Sequence, residues 1–169
     1  DCHDYSWEGR RVMKHTLKCQ GLTRVYKKNT VVNNIDLELE PGKIYGLIGR
    51  NGAGKTTLMS MLTAQNPPSS GSVTFDGMPV WENEKALSHL SFIRECESTY
   101  NAGMNPFKIK EYLKVAAMYL PHWDASMAEN LLKKFKLDPK KKISRLSKGQ
   151  TSMVTILTAL ASRAEFTFL

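Results

Sequence analysis

The sequence is poor in cysteine and has no long apolar run. Its 169 residues contain three cysteines, Cys2, Cys19 and Cys96, whose spacing fits neither a disulfide framework nor a zinc site. A reducing compartment is therefore expected. No stretch approaches the roughly 18–20 apolar residues needed to cross a bilayer. The first residues also lack the apolar core of a secretory signal. We therefore expect neither a disulfide-stapled secreted domain nor a chain that forms a membrane pore by itself.

The composition is that of one soluble globular domain. Hydrophobic residues make up 41% and charged residues 24%, which argues against wholesale disorder and fibrous repeats. The net charge is +8, and the stretch 108–148 holds 11 Lys or Arg against four Asp or Glu. Such a basic stretch has two interpretations: a face for nucleic acid or anionic lipid, or simply a solvated surface.

Periodicity predicts strands in the first half of the chain. Apolar and acidic residues alternate over 35–40, as in a strand with one face in water. The mostly apolar segment Lys43–Ile48 predicts a buried strand. Val73 and Phe75 alternate with polar neighbours and run into Asp76-Gly77, a hairpin turn signal.

The second half has a helical period. One helix is predicted to open at Asn105-Pro106 and to end before Pro121. A capping box of Ser126 and Glu129 predicts a second helix, and Ser147 with Gln150 predicts a third. The predicted core face of that third helix is Met153, Ile156, Leu157 and Leu160.

A glycine-rich loop lies between the predicted buried strand and a helix. Residues 49–56 read Gly-Arg-Asn-Gly-Ala-Gly-Lys-Thr and fit the phosphate-binding pattern G-x-x-x-x-G-K-[ST] at every position. The glycines let successive backbone N–H groups approach a phosphate, and the following helix adds its positive end. In this pattern Lys55 reaches the β- and γ-phosphates, and the Thr56 hydroxyl is a ligand of Mg²⁺.

A second motif narrows the class of P-loop protein. Leu146-Ser147-Lys148-Gly149-Gln150 begins the third predicted helix, and Gln150 lies 95 residues after Lys55. With the P-loop, this pentapeptide resembles the ATP-binding cassette family, whose motif is LSGGQ; Lys148 replaces its first glycine. The resemblance extends over roughly 17–169 and is closest to bacterial multidrug and antibiotic exporters.

The resemblance implies an α/β P-loop core with an antiparallel β portion and a helical subdomain. It divides the single domain 1–169 into a β portion and P-loop core (16–95), a helical subdomain (96–150) and a return to the core (151–169). It also implies ATP and Mg²⁺ as cofactors. The implied nucleotide-binding residues are Tyr26, Gly49, Asn51, Gly52, Ala53, Gly54, Lys55, Thr56, Thr57, Ser147, Gly149 and Gln150, and the implied metal ligands are Thr56 and Glu95.

Two of these residues are assigned by where they fall in the chain relative to the family's motifs. Tyr26 lies 29 residues before Lys55, where the family has an aromatic residue that stacks on adenine. Glu95 falls where the family usually has glutamine; its carboxylate could still meet Mg²⁺, although it lacks the amide donor.

The family's remaining catalytic groups are not in this sequence. Phe166–Leu169 matches the apolar part of the strand that ends in the Mg²⁺-binding Asp, and the catalytic Glu and switch His follow it in the family. The resemblance therefore implies a C-terminally truncated domain, and we expect no ATP turnover by this chain alone.

The implied function is that of the ATP-binding subunit of a transporter. Its partners would be a separate membrane-spanning permease and a second ATP-binding subunit in a head-to-tail dimer, at the cytoplasmic face of the membrane, with no nucleic acid expected. One alternative is a soluble cassette ATPase that acts on nucleic acid or the ribosome, suggested by the basic composition. Another is a GTPase-type switch, but the sequence has no N-K-x-D motif to read guanine.

Overall fold

The structure, a computed structural model, describes residues 15–94 and 107–169. These ranges contain six strands and five α-helices. The strands are β1 (Leu17–Tyr26), β2 (Asn29–Leu39), β3 (Ser70–Phe75), β4 (Met78–Pro79), β5 (Leu90–Phe92) and β6 (Phe166–Phe168). The helices are α1 (Lys55–Leu62), α2 (Glu84–Leu87), α3 (Ile109–Tyr119), α4 (Ala125–Lys134) and α5 (Lys148–Ala161), with one 3-10 turn at Ile143–Arg145.

The first four strands form an antiparallel sheet in the order β2-β1-β3-β4. In the β1–β2 hairpin, Leu17 lies opposite Leu39 and Tyr26 lies opposite Asn29. The alternation predicted for 35–40 is confirmed in β2, where the acidic positions are exposed and the apolar ones are partly or fully buried. The predicted turn at Asp76-Gly77 is also confirmed: both residues have positive φ, and they join β3 to β4.

A second, two-stranded sheet pairs β5 and β6 in parallel, with Leu90 opposite Phe166. Its Phe166 packs into a hydrophobic core shared with the antiparallel sheet, α1 and α2. The fully buried members of this core include Leu17, Leu22, Met61, Phe75 and Val80. The β sheets and the P-loop helix are therefore held together by one core.

The helices after residue 107 build a second core. Its buried residues come from α3, α4, α5 and the loop before α5: Ile109, Leu113, Ala128, Leu137, Ile143, Leu146, Val154, Leu157 and Ala161. Helix α5 packs against both α3 and α4 and also contacts β6. It therefore connects this core to the parallel sheet.

Four ionisable side chains lie at the ends of strands from both sheets. His15, before β1, is hydrogen-bonded to Asp76, which follows β3. Glu165, before β6, places its Oε1 3.0 Å from His89 Nδ1 and 3.5 Å from His15 Nε2. The hydrogen bond to Asp76 raises the pKa of His15. Burial opposes ionisation of Asp76, but hydrogen bonds from His15 and the Thr16 N–H outweigh it and lower the pKa of Asp76.

The prediction of a buried strand at 43–48 is wrong for this structure. These residues lie in no strand, and the Ile44 and Ile48 side chains are 102% and 96% exposed. A buried strand needs hydrogen-bonded neighbours and covered faces. Among the described residues, no strand pairs with this segment, so its apolar side chains stay in solvent.

The first predicted helix begins later than expected. Asn105 and Pro106 lie outside the described residues, and α3 begins at Ile109, after Lys108. The backbone N–H of Lys108 donates to Glu111 Oε2 at 2.8 Å, so the carboxylate satisfies a donor at the helix start.

The second predicted helix is capped by a different residue. Its N-cap is Asp124, whose side chain accepts from the Met127 N–H at 2.8 Å. Ser126 lies inside the helix and donates its hydroxyl to Asp124 Oδ1 at 2.7 Å. Both types are good caps, but the carboxylate is the stronger acceptor and also suits the positive end of the helix.

The predicted core face of α5 is largely wrong. Leu157 is buried, whereas Met153, Ile156 and Leu160 are 41%, 41% and 46% exposed. The buried face instead contains threonines: the Thr155 hydroxyl donates to the Thr151 carbonyl, and the Thr158 hydroxyl donates to a carbonyl one turn back. Because these hydroxyls are satisfied within the helix, threonine can be buried there at little cost.

No helix in the described ranges combines the length and the apolar character that a membrane crossing requires.

Candidate functional site: a phosphate-binding loop beside a β hairpin

The loop before α1 is shaped by backbone conformations that glycine adopts readily. Gly52 and Gly54 have φ of +81° and +85°, in the left-handed half of the map. The Ala53 N–H donates to the Arg50 carbonyl at 3.2 Å and closes a turn. The Leu58 N–H donates to the Gly54 carbonyl at 2.8 Å, so α1 begins directly after the loop, as the motif predicts.

Gly54 also lets the loop approach β2 closely. A Cβ on Gly54 would lie 2.6 Å from the Val31 carbonyl oxygen and 3.2 Å from Val31 Cγ1. No Cβ is tolerated at such distances without a shift of the backbone. At Gly52 a Cβ would meet nothing within 4 Å. The requirement for glycine at residue 54 is therefore both conformational and steric.

The loop presents a cation and exposed backbone donors at the start of α1. Lys55 Nζ donates to the carbonyls of Gly49 and Arg50 at 2.7 and 2.9 Å, so the ammonium lies against the loop. Asn51, Gly52 and Ala53 are exposed. Free N–H groups at a helix start and an adjacent ammonium are the chemistry that binds a phosphate.

The residues present fit a magnesium nucleotide. Thr56 is exposed in the first turn of α1, where its hydroxyl can contribute one oxygen ligand beside the phosphates. The described residues contain no group of three or more His, Cys, Asp or Glu placed to hold a metal ion. A single hydroxyl ligand such as that of Thr56 suits a metal that arrives with phosphate oxygens as its other ligands. Glu95, the other predicted ligand, lies outside the described residues.

Tyr26 lies at the end of β1, on the hairpin that contacts the loop. It pairs with Asn29, two residues before Val31, whose carbonyl oxygen adjoins Gly54. The structure thus places the predicted base-stacking residue and the P-loop on neighbouring parts of one unit. The Tyr26 side chain is 41% exposed.

The second motif forms a well-defined helix cap. Ser147 is the N-cap of α5: its hydroxyl accepts from the Gln150 N–H at 3.2 Å, and Gln150 Oε1 accepts from the Ser147 N–H at 3.2 Å. The predicted capping box is confirmed. Gly149 is exposed, and a Cβ there would meet nothing within 4 Å, so local packing does not explain the glycine.

The two motifs belong to different cores. Helix α1 contributes Met61 and Leu62 to the core of the sheets, whereas α5 contributes Val154 and Leu157 to the helical core. The P-loop and the β1–β2 hairpin therefore lie in one unit of the structure. The second motif, whose predicted binding residues Ser147, Gly149 and Gln150 we call the signature residues, lies in the other unit.

Two neighbours of the predicted residues were not expected from the sequence. Lys141 Nζ donates to Gln150 Oε1 at 2.9 Å, and the Arg24 guanidinium lies over the Tyr26 ring. The period of two in a strand could have placed Arg24 beside Tyr26. No local pattern signals the contact between Lys141 and Gln150, because it depends on how the loop before α5 folds.

Comparison with known proteins agrees with this geometry. Residues 32–169 match the sequence model of the ABC transporter family. The chain belongs to the ABC transporter family.

Three relatives illustrate the similarity of this family member to known proteins. It is 30% identical over 155 residues to the Nod factor export ATP-binding protein I of Cupriavidus metallidurans, covering 88% of this chain and 50% of that protein. It is 45% identical over 76 residues to the bacitracin transport ATP-binding protein BcrA of Enterococcus faecalis, covering 45% of this chain and 25% of that protein. A solved ABC transporter ATP-binding protein from Pyrococcus furiosus superposes with a TM-score of 0.72 at 27% identity, covering 90% of this chain and 73% of that one.

The matched region is a part of those longer proteins. The chain spans about half the length of the Nod factor export protein and of YtrB of Bacillus subtilis, at 50% and 49%. The superposition confirms the predicted fold class, an α/β P-loop ATPase domain with an antiparallel β portion and helices.

Proposed function

We propose that this chain provides the ATP-binding part of a transporter ATPase and binds Mg-ATP at the P-loop. The observation that carries the proposal is the contact between the loop and the hairpin: Gly54 lies against Val31, which brings the phosphate-binding loop and Tyr26 onto one unit. A phosphate cradle alone is common to many enzymes. A phosphate-binding loop packed against a hairpin that carries an exposed aromatic residue suits a nucleotide.

Each predicted residue has a role in this proposal. The backbone N–H groups from Asn51 to Lys55 hold the phosphates, Gly49 opens the loop, and Lys55 neutralises the β- and γ-phosphate charge. Thr56 is the ligand of Mg²⁺, Thr57 adds a further N–H at the helix start, and Tyr26 stacks on the base. Magnesium, when bound, would neutralise phosphate charge beside Thr56.

The signature residues are proposed to act in a pair of subunits. Ser147, Gly149 and Gln150 would meet the γ-phosphate held by the P-loop of a second ATP-binding subunit, arranged head to tail. The exposed start of α5 supports this role, because the first N–H groups of a helix have no acceptor within the helix and can bind an anion. Lys148 would add a positive charge there.

The helical part is proposed to face a membrane-spanning permease at the cytoplasmic side of the membrane. Helix α3 exposes three apolar side chains near its end: Val115 is 39%, Met118 75% and Tyr119 80% exposed. Residues three and four positions apart lie on one face of a helix, and an exposed apolar face of this kind suits a protein partner. We also propose that the chain divides into a β portion and P-loop core (16–95), a helical subdomain (96–150) and a return to the core (151–169).

The basic stretch supports a location beside a membrane. From the last turn of α4 to the first residue of α5, seven exposed cations form no ion pair with any described residue. They are Lys133, Lys134, Lys136, Lys140, Lys142, Arg145 and Lys148. Each cation near an anionic lipid surface contributes about 1 kcal/mol. The similarity to a protein named for Nod factor export favours an exporter.

Titration calorimetry with Mg-ATP tests the proposal. Lys55→Ala removes a charge-assisted interaction of about 1.5–3 kcal/mol and should weaken binding by about 10- to 150-fold. The matched control is Lys85→Ala, which removes an exposed cation from α2 and should leave affinity unchanged. Equal affinities for the parent chain and Lys55→Ala would remove the basis of the proposal.

ATP hydrolysis is proposed for the whole transporter subunit and not for these residues alone. The described residues supply the phosphate cradle and one metal ligand, whereas no carboxylate of the described chain is proposed as general base. General-base assistance typically contributes about 10²–10⁴-fold. A phosphate-release assay should therefore show background turnover, and turnover that Lys55→Ala abolishes would contradict this view.

A further inference from the structure

The Tyr26 ring is covered by a neighbouring cation. Arg24 and Tyr26 lie two residues apart on β1, and the guanidinium carbon of Arg24 is 4.6 Å from the ring centroid. This is the distance and geometry of a cation–π contact. Because Tyr26 as a whole is still 41% exposed, the contact with Arg24 does not remove the residue from solvent.

Arg24 is itself anchored to the loop that follows the P-loop helix. Its Nη1 donates to the Pro67 carbonyl. Beside it, the Val25 N–H donates to Ser69 Oγ at 3.0 Å, and the Ser69 N–H donates to the Thr23 carbonyl at 2.8 Å. These three hydrogen bonds attach the end of β1 to residues 67–69, five to seven residues after α1 ends. The end of β1, which carries Tyr26, is thereby attached to the loop that follows the helix carrying Lys55.

The environment of Arg24 does not resemble that of a structural ion pair. No carboxylate of a described residue pairs with its guanidinium, and its Nε is buried without a hydrogen-bond partner among those residues. A half-buried arginine with an unpaired Nε is costly for stability. The contact with the Tyr26 ring and the hydrogen bond to the Pro67 carbonyl offset part of this cost.

We infer that Arg24 is a positioning residue for nucleotide binding: it holds the Tyr26 ring from one side so that a purine base stacks on the other. The inference rests on the proposed function. It adds that Arg24 increases the part of the nucleotide affinity that comes from stacking of the base. A ring that is already fixed loses less side-chain freedom when a base stacks on it. Arg24 has no assigned contact with the nucleotide.

The test compares a ligand that has a base with one that does not. Mg-ATP and Mg-tripolyphosphate are titrated into the parent chain, Arg24→Met, Arg24→Lys, Tyr26→Ala and the double variant Arg24→Met/Tyr26→Ala. Immobilising one side chain corresponds to about 0.5–1.5 kcal/mol, so Arg24→Met should weaken ATP binding by about two- to tenfold. Tripolyphosphate binding should not change, and Arg24→Lys, which keeps a cation over the ring, should recover part of the loss.

The double variant separates positioning from a general effect on folding. In the Tyr26→Ala background, Arg24→Met should cause no further loss of ATP affinity, because the ring through which it acts is absent. Equal losses for ATP and tripolyphosphate, or an undiminished loss in the Tyr26→Ala background, would overturn the inference. If Arg24→Met does not fold, the two ligands are compared in Arg24→Lys instead. Equal losses of affinity for ATP and for tripolyphosphate in that variant would also overturn the inference. Failure of Lys55→Ala to weaken either ligand would instead contradict the proposed function.

Discussion

Replacing Gly54 by alanine should destabilise the chain far more than the same change two residues earlier. Both Gly52 and Gly54 have φ near +80°, where a non-glycine residue costs about 1–3 kcal/mol. At Gly54 the added Cβ would also lie 2.6 Å from the Val31 carbonyl oxygen. That oxygen is part of the backbone, so relief requires the hairpin and the loop to separate.

The expected loss of Tm follows from comparing Gly52→Ala with Gly54→Ala. For a domain of this size, 1 kcal/mol lowers Tm by about 2–4 °C. Gly52→Ala, whose Cβ enters open space, should therefore lower Tm by about 2–12 °C through backbone strain alone. Gly54→Ala carries the same strain and the steric clash, so its loss should be clearly larger and should be accompanied by weaker Mg-ATP binding.

Thermal unfolding followed by circular dichroism, with parallel ATP titrations, measures both effects. The parent chain and Gly52→Ala are the two references. Equal Tm values for the two alanine variants would refute the close approach of the loop to Val31. A Gly54→Ala variant that is as stable as the parent chain and binds ATP normally would refute the steric argument altogether.

Three further predictions concern stability and base choice. The pKa of His15 is raised, so its contribution to stability is complete below about pH 6.5 and is lost as pH rises through the raised pKa. The pKa of Asp76 is lowered, so its contribution is present above about pH 4 and is lost as pH falls through the lowered pKa. Urea midpoints should therefore fall between pH 6 and 8.5 in the parent chain by more than in His15→Gln, and parallel pH profiles would contradict the contact. Ser147→Ala should cost about 1 kcal/mol of unfolding free energy by removing the α5 cap, whereas an unchanged urea midpoint would mean that the cap does not stabilise the helix. Because Tyr26 can stack on any purine, ATP and GTP should bind within about tenfold in competition titrations, and a hundredfold preference for GTP would favour the GTPase-type alternative.

The parts of the fold predicted correctly depend on local chemistry. The turn at Asp76-Gly77 follows from residues that accept positive φ, and the cap of α5 follows from Ser147 and Gln150. The P-loop is predicted as a unit because its glycines, lysine and helix start act within eight residues. These features need no knowledge of distant parts of the chain.

The parts that were missed depend on distant partners. Segment 43–48 has the composition of a buried strand, but burial depends on strands that pair with it, and the described strands do not. The sequence pattern predicts the wrong buried face for α5 because threonine counts as polar, whereas Thr155 and Thr158 satisfy their hydroxyls within the helix. The contact of Arg24 with Pro67 joins residues that are 43 positions apart, which no local pattern reveals.

The most direct test of the central claim is to locate the nucleotide by NMR. Backbone amide shifts of the labelled chain are recorded during titration with Mg-ATP. Binding at the P-loop predicts the largest shifts at residues 49–57, smaller shifts along the hairpin from Arg24 to Val31, and none over 133–142. Saturable shifts centred on 133–142, with residues 49–57 unmoved, would show that the nucleotide binds the basic surface and would contradict the account.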